Sequence, residues 1–127
     1  MARETVSVSG MHKPTGYSHA AKTGQLVFVA GQVARDAQGD VVGKGDIAAQ
    51  AVQVFENLKT VLASAGATLD DVVKLTTYTT NLAYRPTIAE VRARYCGSYL
   101  PPNTFVVVAS LASPDYLLEI EAVAAVP

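Results

Sequence analysis

The stretch LLEIEAVAA, residues 117–125, decides how the rest of this chain is interpreted. Its alternation of apolar and acidic residues is typical of a strand, in which successive side chains point to opposite faces. Leu118 and Ile120 then share one face, while Glu119 and Glu121 lie side by side on the other. An unpaired carboxylate is costly to bury. The second face is therefore either open to water or holds carboxylates that have a chemical task.

With this strand as the last element, the sequence predicts the element order β-β-β-α-β-α-β-β. Asp46 is a suitable N-cap for the first helix, and Gly66 is a suitable residue to end it. Pro86 fits the first turn of the second helix. Apolar and threonine-rich runs bounded by turn residues predict strands at residues 5–9, 17–22, 25–33, 72–80, 104–109 and 117–125.

Two helices can cover only one face of the resulting mixed sheet, which predicts an α+β fold with one open sheet face. Yet residues 25–33 and 104–109 are apolar on both faces of their strands. Because an apolar sheet face must be buried, we expect a homo-oligomer whose subunits pack sheet against sheet. A site for a small-molecule substrate would then form in a cleft between subunits.

The composition bears on the number of domains, the expected partners and the location of the protein. The 127 residues fit one domain, spanning residues 1–127, and half of them are hydrophobic. The net charge of −1 and the lack of a basic run disfavour nucleic acid as a partner. No apolar stretch approaches the roughly 18 residues of a membrane helix, so no membrane partner is expected. Cys96 is the only cysteine, which favours a cytoplasmic location and a core role over a nucleophilic one.

Several segments, taken in order and at matching spacing, resemble the RidA family, which is also called YjgF. GYSHA at residues 16–20 resembles the family's N-terminal G-x-Y-S-x-A segment, and VAGQV at residues 29–33 resembles its S-G-Q strand. The other matching segments are AQA at 49–51, FENL at 55–58, DVVK at 71–74, residues 101–111 and IEAVA at 120–124.

This resemblance implies a chorismate-mutase-like fold and a homotrimer with three clefts between subunits. It also implies hydrolysis of reactive enamines or imines to 2-oxo acids and ammonia, with no cofactor and no metal. Glu119 falls at the position of the glutamate that orients or activates the attacking water. Tyr17 falls at the family tyrosine, where it would position the substrate or donate a proton. Gly31 falls where the family backbone approaches the site closely.

Four positions of the predicted substrate-binding cleft depart from the family pattern. Asn103 stands at the position of the arginine that grips the substrate carboxylate, and Ala30 at that of a serine. Ala89 replaces an asparagine of the second helix, and Phe105 replaces a common cysteine. Asparagine donates only neutral hydrogen bonds, whereas arginine offers a charged, bidentate fork. We therefore expect a more apolar cleft that serves 2-aminoacrylate poorly and prefers a larger, less charged or differently placed substrate.

Alternative functions stay open at the level of sequence. A deaminase of the 2-aminomuconate type would suit a more apolar cleft, because its substrate is a six-carbon enamine. A trimer that binds a metabolite without catalysis, or offers a chaperone-like surface, would suit the missing arginine. Ribonuclease activity or translation inhibition, a label given to some relatives, is disfavoured by the near-neutral charge.

The remaining polar candidates receive smaller roles. His12 and His19 are too few and too far apart to predict a metal site. We expect His19 to form hydrogen bonds at the surface. Apolar surroundings should raise the pKa of Glu119. Glu121 is expected to have no direct role in catalysis, and to pair with a base such as Lys74 or Arg94.

Overall fold

Six strands and two α-helices make up the protein in the computed structural model, which describes residues 2–127. The helices are α1 (Ile47–Ser64) and α2 (Arg85–Cys96). The strands are β1 (Glu4–Thr5), β2 (Ala20–Thr23), β3 (Leu26–Gln32), β4 (Val72–Thr79), β5 (Asn103–Val107) and β6 (Leu118–Ala125). The element order predicted from the sequence is therefore confirmed.

The strands form one mixed sheet in the order β1-β2-β3-β6-β4-β5. Neighbouring strands are antiparallel except β4 and β5, which run parallel because α2 crosses over between them. The C-terminal strand β6 is central, since it pairs with β3 on one side and β4 on the other. The predicted α+β class is confirmed, while the trimer that the resemblance implies stays a prediction.

One face of the sheet carries the helices and the hydrophobic core. Along β6, Leu118 and every second residue after it are buried, and the residues between them are partly exposed. Helix α1 packs against β3 and β6, and α2 packs against α1. The first turn of α1 is fixed by the predicted N-cap Asp46, whose carboxylate accepts a hydrogen bond from the Ala49 amide at 3.1 Å.

The opposite face of the sheet exposes large apolar side chains. Leu26 and Phe28 of β3 are 40% and 46% exposed, and Val106 of β5 is 36% exposed. We call this surface the open face. Leu26 and Phe28 belong to a stretch that the sequence analysis expected to be apolar on both faces, while the partner that would cover them stays a prediction.

The two N-terminal strands, predicted at residues 5–9 and 17–22, are wrong in their bounds. β1 covers 2 residues, and β2 begins at Ala20. Gly10 and Gly16 have positive φ angles of 80° and 81°, which turn the chain out of a strand conformation. The chain between β1 and β2 is consequently a loop.

Cys96 at the end of α2 is 5% exposed, and burial raises the pKa of its thiol. The expectation of a core cysteine is confirmed, because a reactive cysteine needs an accessible thiolate. Among residues 2–127, no cluster of His, Cys, Asp and Glu is arranged to hold a metal ion. None of the helices in this range is long and apolar enough to cross a membrane.

Candidate active site

Glu119 lies on the open face of β6, against an irregular part of β3. The register between these strands shifts between Val29 and Gln32. Ala30 and Gly31 occupy the resulting bulge. A Cβ atom at position 31 would lie 2.7 Å from Cδ of Glu119. Glycine therefore leaves the space that the carboxylate occupies, which is the close approach predicted for Gly31.

The surroundings of Glu119 favour its neutral form. Burial raises the pKa of its carboxyl group above the ordinary value of 4.5, and the negative charge of Glu121 raises it further. The predicted direction of the shift is therefore confirmed. A carboxyl group with a raised pKa is suited to exchanging a proton with a bound water molecule.

Glu121 does not pair with Lys74 or Arg94, so the prediction of a basic partner was wrong. The Tyr78 hydroxyl donates a hydrogen bond to Oε1 of Glu121 at 2.7 Å, and this contact raises the pKa of Tyr78. Lys74 instead donates to the Thr104 hydroxyl at 2.6 Å. The β4–β6 register explains the difference, because it sets Thr76 and Tyr78 opposite the two glutamates on the open face.

Tyr17 is 47% exposed in the loop before β2. Its hydroxyl lies 3.3 Å from Nε2 of His12, which is buried. Burial lowers the pKa of His12, with Arg35 as a second cause, so the neutral imidazole is favoured. A neutral imidazole can accept a hydrogen bond from a phenol. From the sequence, His12 was considered only for a metal site, which was rejected. Its spacing of five residues from Tyr17 is the only feature of the sequence that points to their contact.

His19 is 3% exposed, so the predicted surface role was wrong. Its Nε2 lies 2.9 Å from the His12 carbonyl, and the Gln32 amide lies 3.4 Å from its Nδ1. The His19 ring also stands edge-on to the Tyr17 ring, with 5.9 Å between centroids. His19 thus connects β3 to the loop that carries Tyr17, through contacts that sequence spacing does not reveal.

Asn103 and Phe105 of β5 lie on the face opposite to Glu119. In the sheet, Asn103 pairs with Leu75 and Phe105 with the next core residue, Thr77, whereas Glu119 pairs with Tyr78 on the open face. The Thr77 hydroxyl is 2.9 Å from Oδ1 of Asn103 and donates to it. This contact leaves the NH₂ group of Asn103 to donate elsewhere.

Arg85, the first residue of α2, lies over the Phe105 ring and is a neighbour of the predicted site that sequence reasoning missed. Its guanidinium carbon is 5.2 Å from the centre of the Phe105 ring, which is a cation–π geometry. Ala89 follows one helical turn later on the same side of α2. The only feature of the sequence that relates Arg85 to the predicted site is its spacing of four residues from Ala89, which places both on one side of α2.

Apart from Tyr17, which contacts His12 and His19 in the loop before β2, the predicted site residues form two separate groups. The acidic group, Glu119 with Ala30 and Gly31, belongs to the open face. The amide group, Asn103 with Phe105 and Ala89, belongs to the helix-bearing face near the start of α2. A single chain does not bring Glu119 and Asn103 together.

The start of β6, and with it the acidic group, is fixed by a buried glutamine of α1. The Gln50 side-chain NH₂ group donates to the carbonyls of Gly43 and Asp115, at 3.1 and 2.8 Å. Its Oε1 accepts from the Leu117 amide at 2.9 Å. These bonds tie the loop before β6 to a rigid helix, and sequence periodicity marked Gln50 only as a position within α1.

Two surface hollows found in residues 2–127 lie away from both groups. One of about 480 Å³ is lined by residues of both helices, including Lys59 and Tyr95. The other, of about 230 Å³, lies at the loop before β6, near Ser110 and Pro114. Glu119 itself lies on the open face and is partly exposed, so a second surface would be needed to enclose it.

Residues 9–126 match the protein family described as Endoribonuclease L-PSP. A RutC family protein of Pyrococcus abyssi is 42% identical over 125 residues, which cover 98% of this chain and 98% of the relative. The 3-aminoacrylate deaminase RutC of Acinetobacter baylyi is 35% identical over 98% of both chains. The 2-iminobutanoate/2-iminopropanoate deaminase of Dermatophagoides farinae is 32% identical over 87% of both.

Solved structures give the same result for the fold. A protein of the Rid family from Yersinia pestis superposes with a TM-score of 0.93 at 31% identity, covering 98% of this chain and 100% of that one. RidA from an Antarctic Psychrobacter superposes with a TM-score of 0.90 at 30% identity, covering 97% and 99%. The match spans nearly the whole chain in each case.

Proposed function

Because the chain belongs to the RidA/YjgF family, we propose that it is a cofactor-independent deaminase that hydrolyses an enamine or imine to a carbonyl compound and ammonia. The observation that carries this proposal is Glu119, a carboxyl group of raised pKa seated over Gly31 on the open face. Relatives named as deaminases support the reaction class.

The reaction needs one group that handles protons, because the carbon of an imine is already electrophilic. The Glu119 carboxylate accepts a proton from water as the water oxygen bonds to the imine carbon. The same carboxyl group gives that proton to the imine nitrogen, which yields a carbinolamine. The carboxylate then takes the carbinolamine hydroxyl proton and transfers it to the amine nitrogen, so that the C–N bond breaks, the C=O bond forms and ammonia leaves. Tyr17, supported by His12 at 3.3 Å, positions the substrate or donates a hydrogen bond to nitrogen.

The complete site is assembled from two copies of the chain. The open face of one copy supplies the acidic group, and the face beside α2 of the next copy supplies the amide group. Two observations support this arrangement: the groups lie on opposite faces of one sheet, and the open face exposes Leu26 and Phe28. A closed ring of three copies gives every acidic group one amide group.

The substrate is larger or more apolar than 2-aminoacrylate. Ala30, Ala89 and Phe105 line the two groups with hydrocarbon. Asn103 offers only neutral hydrogen bonds to a ligand. An imine with a longer carbon chain fits this lining better than a three-carbon one, because it buries more apolar surface.

A panel of enamines and imines generated in situ tests the proposal. Ammonia release is compared for 2-aminoacrylate, 3-aminoacrylate, the four-carbon 2-iminobutanoate and a six-carbon aminomuconate, with and without the protein. We expect acceleration for at least one member, larger for the longer substrates than for 2-aminoacrylate. Binding of these compounds or their products without any acceleration would contradict the proposal and favour a metabolite-binding trimer.

A further inference from the structure

We propose that Arg85 supplies the positive charge that binds the substrate carboxylate, in place of the arginine that position 103 lacks. This inference rests on the proposed function, because it names the substrate feature that the same site selects. It assigns a specificity-determining residue to α2, and it predicts that the substrate is an acid despite Asn103.

The first support is the position of the guanidinium group. The guanidinium carbon of Arg85 lies 5.2 Å from the centre of the Phe105 ring, and Phe105 lies two residues after Asn103 on the same face of β5. This cation–π contact favours the observed position of the guanidinium group, whose N–H groups can donate to a ligand. The phenylalanine at a common cysteine position thus gains a function, as the platform for the relocated arginine.

The second support is that the charge of Arg85 is uncompensated in the described chain. Lys44 and Lys59 form the ion pairs found among residues 2–127, and Arg85 takes part in neither. The first turn of α2 contains no acidic residue, and no side chain caps it. A cation at a helix N-terminus is unfavourable, and an anion bound there relieves the repulsion.

The third support is the space and the donors beside Arg85. Ala89 lies one turn further along the same side of α2, and its side chain is only a methyl group, which takes up little space next to Arg85. The Thr77 hydroxyl donates to Oδ1 of Asn103, which leaves the NH₂ group of Asn103 able to donate to a ligand oxygen. A carboxylate between Arg85 and Asn103 would receive one charged and one neutral donor.

Binding of a 2-oxo acid, the class of product that the proposed reaction forms, can be measured without turnover. It therefore tests this inference apart from the proposed reaction. Calorimetry or thermal shift with 2-oxobutanoate and its methyl ester is carried out on the wild-type protein, Arg85→Gln and Arg85→Lys. We expect Arg85→Gln to weaken binding of the acid by about tenfold or more, with Arg85→Lys intermediate, and to change binding of the ester by less than about twofold. In turnover, the loss should appear in KM rather than in kcat.

Two variants control the experiment. Arg94→Gln removes an exposed charge from the opposite side of α2 and should leave acid binding unchanged. Adding Asn103→Arg to Arg85→Gln should restore acid binding, because it returns a guanidinium to the face of β5 that carries Phe105. Oligomeric mass is measured for each variant by sedimentation.

Three outcomes would overturn the inference: no binding of the acid by the wild-type protein, equal losses for acid and ester, or a loss that accompanies dissociation of the assembly. Failure of the proposed function looks different. In that case Arg85-dependent binding of the acid persists, while no enamine or imine of the panel is deaminated.

Discussion

At the level of a single residue, the proposed role of Glu119 in catalysis and its surroundings in the folded chain favour opposite protonation states. A general base must be ionised, yet burial and the charge of Glu121 favour the neutral form. Because the folded-state pKa is raised, the stability contribution of the neutral form is fully present below pH 4.5 and is lost as pH rises through the raised pKa. The ionised carboxylate at neutral pH is therefore a stability cost that the chemistry requires.

Glu119→Gln should lower kcat by about 10²-fold or more, because glutamine cannot accept the water proton. The same variant should have a higher free energy of unfolding than the wild type at pH 7, and the difference should shrink below pH 4.5. Ammonia release and urea unfolding at several pH values measure both effects. Unchanged turnover would remove Glu119 from the mechanism.

His12 should make the stability of the protein depend on pH in the opposite sense. Its folded-state pKa lies below 6.5, so its contribution is fully present above pH 6.5 and is lost as pH falls below that value. The difference in unfolding free energy between the wild type and His12→Gln should therefore change between pH 7.5 and 5.5. Tyr17→Phe keeps the buried imidazole and should retain the wild-type profile; parallel curves for the wild type and His12→Gln would refute the assignment.

At the level of elements, the central strand was predictable and the face of the edge strand was not. The period-two pattern of residues 118–125 predicts the observed burial of alternate residues, because only one face of a strand meets the core. For β5, the sequence is apolar on both faces and therefore does not indicate which face meets the core. The parallel pairing of Asn103 with Leu75 decides that orientation, and such long-range pairing leaves no local signal.

The bulge of β3 yields a prediction about position 31. Gly31→Ala places a methyl group at 2.7 Å from the end of the Glu119 side chain, which is flexible and can move aside. We expect a small change in stability but a loss of about 10²-fold in turnover, since the carboxylate is displaced by about 1 Å. In a double-mutant cycle with Glu119→Gln, the second loss should largely vanish; full additivity of the two losses would contradict this picture.

At the level of the whole molecule, the open face should drive assembly. Phe28→Glu places a charge at a residue that is 46% exposed in the single chain. If the open face is the interface, the variant should sediment as a monomer and lose turnover together with assembly. Ala63→Glu, on the exposed surface of α1, should leave both properties unchanged. A wild-type protein that sediments as a monomer would remove the shared cleft altogether.

The acidic half of the candidate site could be predicted from the sequence, whereas the prediction of the other half was incomplete. Glu119 and Gly31 follow from strand alternation and from the resemblance, and the structure places them in contact. Arg85 escaped notice because a charged residue at a helix start is ordinarily solvated, and only its contact with Phe105 distinguishes it. These two residues are 20 positions apart in the sequence, and their contact is visible only in the folded chain.

If neighbouring copies share the cleft, the position of the two groups on opposite sides of one sheet means that two chains, each defective in a different group, can complement each other. Glu119→Gln destroys only the acidic half, and Ala89→Trp blocks only the half beside α2. When equal amounts are unfolded together and refolded, about a quarter of all clefts inherit both intact halves, which corresponds to about one cleft in each mixed ring of three. Activity regained on co-refolding, but absent from each parent and from a simple mixture of the preformed assemblies, would demonstrate a cleft shared between neighbours.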